Sequence, residues 1–244
     1  MKNKRLLLLI QGEFQRFNKY GVTTISFVVA VVWFLMLYFL DNQLLDQLLP
    51  VIILMDTTMM AVLFIGATMF FEKSESTIST LLVTPIRSSE LIGSKIIANA
   101  IHTLLATMLV VVVFQFTRGV NVQYGYMILV LLLVSSFHTL LGLIFSYVSK
   151  DFTSMLVNTM IYTFVLVIPT LLVSFGVLQG DVWQWILRLT PTTAAETLIQ
   201  AAFGGAIDGW FWYSLLYFIG IGALGYRFYV LPKFKQYAIK QSGV

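Results

Sequence analysis

Six runs of mostly apolar residues, at about 22–40, 48–71, 96–116, 126–148, 153–175 and 210–230, follow one another along the chain. Each is close to the roughly 20 residues that a helix needs to cross a bilayer. With 59% hydrophobic and 11% charged residues in a chain of 244, a water-soluble domain could not hide the apolar surface. The pattern predicts an all-α integral membrane protein, one transmembrane domain over 1–244, with no room for a folded extramembrane domain. There is no cysteine, so disulfides and thiolate metal sites are excluded.

The longest polar stretch between two apolar runs is EKSESTISTLLVTPIRSSELIGSK, residues 72–95. Ile78, Leu81 and Leu82 fall at helical spacing on one face, and Thr84-Pro85 then breaks the helix, because proline has no amide proton and pushes the residue before it out of α geometry. A second helix can start at Ser88 or Ser89, capped by a serine hydroxyl, and run through Lys95 into the next apolar run. A solvated helix with an apolar stripe and no core of its own needs something to dock against. The stretch is therefore expected to contact another protein.

Residues 1–20 place Leu6, Ile10, Phe14 and Phe17 on one helical face, with Arg5, Gln15, Arg16 and Lys19 largely elsewhere, and predict a helix lying on the membrane surface. The apolar run within it is too short for the core of a signal peptide. If the amino terminus faces inward, thirteen lysines and arginines fall on inner segments and only Arg118 and Arg188 on outer ones. That asymmetry puts both termini and residues 72–95 in the cytoplasm, and it accounts for the basic pI of about 9.2 without a nucleic-acid partner. Residues 179–209 are too long for a tight turn and too apolar for a free loop. With Trp183, Trp185, Pro191 and an alanine-rich run, they predict a pair of short helices dipping back into the outer leaflet.

Little in the chain carries chemistry. The nearest approach to a phosphate loop, Gly93-Ser94-Lys95, lacks its first glycine, so the chain is not expected to hydrolyse ATP. His102 and His138 lie in the third and fourth runs without a carboxylate at metal-binding spacing, and hydrogen bonding within the bundle is their expected use; no catalytic or metal residues are predicted. Asp56 is the carboxylate set well inside a span, where an ionised aspartate costs up to roughly 2.5–3.5 kcal/mol. It reads either as a path-lining residue or as a hydrogen-bond partner for a neighbouring helix. Thr57, Thr58, Asn158, Tyr162 and Thr163 form a weaker polar set around the second and fifth runs, and Pro169 predicts a kink in the fifth.

Two segments carry a family resemblance. FEKSESTISTLLVTPIRSSELIGSK is similar to the segment of type-2 ABC exporter permeases in which glutamates, spaced leucines and a Ser/Thr-Pro step lead into a lysine, and LTPTTAAETLIQAA is similar to their outer Leu-Ser/Thr-Pro segment. The likeness spans the whole chain. Ser76 stands where that family often has glycine, and Glu196 near where an arginine often follows the outer proline. The resemblance implies that Glu72 and Glu75 end the second span on the ATPase side. It further implies that Ile78, Leu81, Leu82, Thr84, Pro85 and Arg87 belong to a coupling helix seated in a groove of an ABC ATPase subunit. That subunit, and not this chain, would hold ATP and magnesium. A second permease copy, alike or paralogous, would complete the path, with Asp56, Thr57, Asn158 and Tyr162 within reach of it. The implied activity is export of an amphipathic drug-like or antibiotic molecule across a bacterial cytoplasmic membrane. Within the class, the alternative substrate is a lipid-linked glycan or polysaccharide. Outside it, an ion-coupled secondary transporter would be expected to show paired carboxylates or repeated broken helices, and a polytopic membrane enzyme ranks third.

Overall fold

The computed structural model describes residues 2–77, 80 and 84–241 and is all-helical over them. Helix α1 (Lys2–Lys19) ends at Tyr20-Gly21, where Gly21 takes a φ of 74°, a backbone conformation that a side chain disfavours. The chain there turns by 67° into α2 (Val22–Tyr38), and only as a bent pair do the two helices have the length and apolar composition of one span. Phe17 is wholly buried at the elbow with Val22, Phe64 and Ala98, while Ile25, Val28, Val32, Leu35 and Met36 on α2 stay exposed, as a lipid-facing helix requires.

Five further helices are long and apolar enough to cross a membrane, giving six spans if the bent pair counts as one. Helix α3 (Asn42–Ser74) starts about a turn and a half before its apolar run, because the Asp41 carboxylate accepts the Leu44 amide at 2.9 Å. Pro50 lies within it, and one widened π turn covers Asp56–Met60. Helix α4 (Ser88–Arg118) begins where expected, yet no serine hydroxyl caps it. Instead the Glu90 carboxylate reaches back to accept the Arg87 amide at 3.0 Å. A carboxylate in the first turn also suits the positive end of the helix dipole. Helix α5 (Tyr124–Val148) is followed by a short turn, and Asp151 caps α6 (Phe152–Ser174) by accepting the Ser154 amide at 2.7 Å. The expected irregularity in α6 appears as a π turn at Thr163–Val167 just ahead of Pro169, which has no amide to close a regular turn.

Two short helices follow, α7 (Asp181–Arg188) and α8 (Pro191–Ala202). Proline opens α8, where its missing amide proton is harmless, and Thr190 caps it. The inner face of α8 is not at the surface: Ala194, Ala195, Leu198, Ile199, Ala201 and Ala202 are buried in the largest hydrophobic core, together with residues of α3, α4 and α5. Helix α9 runs from Gly209–Gly225 through a π turn at Tyr226–Val230 into Leu231–Gln241, with the Asp208 carboxylate accepting the Trp210 and Phe211 amides at its start.

Lipid is as apolar as leucine, so helices in a membrane associate through close packing and hydrogen bonds more than through the hydrophobic effect. The bundle uses both. A side chain on Gly142 of α5 would meet the Val62 carbonyl oxygen of α3 at 2.8 Å, so the two backbones touch only because that position is glycine. Asn99 of α4 donates to the Ala61 carbonyl of α3 at 2.9 Å and to the Thr139 hydroxyl of α5 at 2.7 Å, tying three helices at one point.

Candidate functional site

The ends of α3 and α4 that flank residues 72–95 meet α1 in a buried cluster of charges. Lys95 on α4 places its ammonium 2.5 and 2.6 Å from the two carboxylate oxygens of Glu72 on α3, and 3.1 and 3.2 Å from those of Glu13 on α1. Arg16 on α1 completes the set, with Nη2 at 2.5 Å from Glu13 and Nε at ion-pair distance, 2.9 Å, from Glu72. Glu13, Glu72 and Lys95 are essentially inaccessible to solvent. Two cations facing two anions leave no net charge, which is what allows four ionised groups to sit there: removal from water is costly, and each group recovers that cost only while its partners remain.

A second layer of contacts lies outside the cluster. Glu75 accepts hydrogen bonds from the Lys19 ammonium at 2.7 Å and the Tyr20 hydroxyl at 2.9 Å, which hold its carboxyl below the usual carboxylate range. Arg5, near the start of α1, reaches the Pro85 carbonyl at 3.5 Å, and Lys73 donates to the Lys150 carbonyl in the α5–α6 turn at 3.3 Å. Helix α1 thus grips residues 72–95 at both ends. Ser76, the position that departs from glycine, has a φ of 56°, the left-handed conformation that glycine adopts without strain. The Thr80 amide donates back to the Ser76 carbonyl at 3.2 Å. Thr84 is half-buried, Pro85 and Arg87 are exposed, and Ile78, Leu81 and Leu82 lie outside the described residues.

The other polar residues singled out from the sequence do not gather into one site. The Asp56 carboxylate is buried and accepts from the Thr107 hydroxyl of α4 at 2.7 Å and from the Trp33 indole of α2 at 3.2 Å. Thr57 beside it is buried as well. Tyr162 on α6 hydrogen-bonds through its hydroxyl to His138 Nε2 of α5 at 2.9 Å, whereas Asn158 donates to Ser149 at 3.0 Å, closing the α5–α6 turn. His138 therefore bonds within the bundle as its sequence position suggests, and His102 sits between the rings of Phe17 and Phe64. No group of three or more candidate metal ligands occurs among the described residues.

Glu13 and Arg16 were not singled out by sequence reasoning as members of a site with Glu72 and Lys95. A signal for the first was present, since Glu13 falls three residues after Ile10 and four before Phe17, on the apolar face where an unpaired carboxylate has no place.

Apolar helices of spanning length, bundled over a charged and braced end, define a multi-pass membrane protein. The match of a whole family profile makes this specific: the chain belongs to the fluoroquinolones export permease protein family, which it matches over residues 4–242. Two relatives, the fluoroquinolones export permease proteins of Mycobacterium tuberculosis strains CDC 1551 / Oshkosh and ATCC 25618 / H37Rv, are each 27% identical to it over 219 residues, covering 88% of this chain and 88% of theirs. The protein is accordingly an export permease of the membrane.

Proposed function

We infer that this chain is the membrane subunit of an ATP-driven exporter. Separate ABC ATPase subunits bind ATP and magnesium and dock on residues 72–95, and a second permease copy completes the path. The observation that carries this reading is the bracing of residues 72–95 on both sides by α1. A segment fixed at Glu72, Glu75, Pro85 and Lys95 moves only if α1, α3 and α4 move with it, so a partner pressing there displaces three helices as a body. The basic residues crowd toward this end, which supports a cytoplasmic position for it and for both termini in a bacterial cell, with α7 and α8 as the outer re-entrant pair.

The substrate in this reading is an amphipathic antibiotic-like molecule of the fluoroquinolone class, following the relatives' names. The Asp56 carboxylate, the Asn158 amide nitrogen and the Tyr162 hydroxyl are engaged within the bundle. The path therefore follows the outward apolar face of α6, where Val157, Met160, Ile161, Phe164 and Val165 are exposed, and those polar residues hold the helices that line it. The second copy covers that face.

Co-purification of the chain with its ATPase, comparing wild type with Leu82→Asp, tests the reading. A charge introduced on a docking surface releases the partner and abolishes ATP-dependent efflux while the permease still folds. Failure of the wild type to bind any ABC ATPase, with efflux driven by a proton gradient instead, would overturn it.

A further inference from the structure

At the end of the bundle opposite the charge cluster, α6, α7 and α8 line an open cavity of about 330 Å³ whose walls include Thr170, Ser174, Gln184, Arg188, Glu196 and Gln200. Its size lies within the range of small-molecule sites. Two opposite charges line it without pairing. The Arg188 guanidinium lies over the face of Trp210, 4.0 Å from the ring centroid, with Trp185 at 5.4 Å on the same group. Among the described residues, none forms an ion pair with Arg188 or accepts a hydrogen bond from it. A stacked guanidinium keeps its donors in its own plane, free to take a carboxylate in a two-pronged contact. The Glu196 carboxylate is held by the Ser174 hydroxyl and by the Gln200 amide, the latter at 3.0 Å, and both contacts fall on Oε1. A neighbouring cavity of about 230 Å³ shares Arg188, Thr193, Thr197 and Gln200 and brings in Trp210.

Opposite charges that line one hollow without pairing suit a ligand that carries both charges. We propose that this cavity binds a zwitterionic aromatic amphiphile, with its carboxylate on Arg188, its ring system alongside the Arg188–Trp210 stack, and its ammonium on Glu196. The proposal rests on the exporter reading for its place in transport, and names the charge pattern of the substrate and the outer residues that read it.

Equilibrium dialysis of the full-length chain in lipid nanodiscs against three probes tests the proposal: a zwitterionic fluoroquinolone, its methyl ester, which keeps only the amine, and a quinolone acid without the amine. Arg188→Gln weakens binding of the two acids about tenfold and leaves the ester within about twofold, and Arg188→Lys falls between, since it keeps the charge and loses the fork. Glu196→Gln does the converse, weakening the zwitterion and the ester and sparing the amine-free acid. Equal effects on all three probes, no effect, or no binding by the wild type would overturn the proposal. ATP-driven uptake into inverted vesicles containing the ATPase separates the two readings. Charge-selective binding without ATP-driven uptake keeps the cavity and removes the exporter, whereas uptake that ignores both substitutions keeps the exporter and removes the cavity.

Discussion

The two ends of the bundle treat charge in opposite ways. At one end Glu13, Arg16, Glu72 and Lys95 are buried and mutually neutralised, with Lys95 Nζ no further than 3.2 Å from any of four carboxylate oxygens. At the other, Arg188 and Glu196 line one cavity and do not pair. A neutralised buried cluster is stiff, because shifting any member strands the rest in a medium that solvates them poorly. Charges that line a hollow without pairing with each other stay available to a ligand that enters it. The first arrangement suits transmission of force, the second recognition.

The comparison breaks most sharply at Lys95. Lys95→Met leaves Arg16 alone against two buried carboxylates and should destabilise the chain by about 3–5 kcal/mol, read as thermal unfolding in detergent. Adding Glu72→Gln restores neutrality, and the double variant should be more stable than Lys95→Met alone; if the effects simply add, the cluster is not acting as a unit. A milder change at the same end is Ser76→Gly, which relieves a left-handed backbone and should stabilise by about 1 kcal/mol. At the open end, Arg188→Gln removes only the stack on the two tryptophans, and its stability should fall by less than about 1 kcal/mol.

The smallest effect is at Asp151, whose carboxyl the Ser154 amide holds below the usual range. Because the folded value is lowered, the carboxylate stabilises the α6 cap above the unfolded pKa of about 4, and the contribution disappears as pH falls through the folded value. The melting difference between wild type and Asp151→Ala should accordingly be present at pH 7 and close up on acidification.

The apolar runs were legible because bilayer thickness sets span length, and the Pro169 irregularity because proline lacks an amide proton whatever its surroundings. The start of α8 at Pro191 was legible on the same ground. The cap on α4 was misplaced because a serine hydroxyl and a glutamate one or two residues on compete for the same role, and local spacing does not say which one wins. The charge cluster was hidden for a different reason. Glu13 and Lys95 are 82 positions apart, and only the 67° elbow at Gly21 lays α1 across the ends of α3 and α4 and brings them together. Asp56 was visible as an anomaly, but its partners Trp33 and Thr107 come from two other helices and have no sequence relation to it.

That elbow makes α1 a lever. Its 18 residues form an arm about 27 Å long, pivoted at Gly21 and pinned to α3 and α4 through Glu13 and Arg16 close to the pivot, with Arg5 resting on Pro85 far out along the arm. A small rotation at the pivot corresponds to a larger displacement at the amino-terminal end, which carries Lys2, Lys4 and Arg5. Any load carried at Pro85 therefore reaches the buried cluster with the length of the arm behind it.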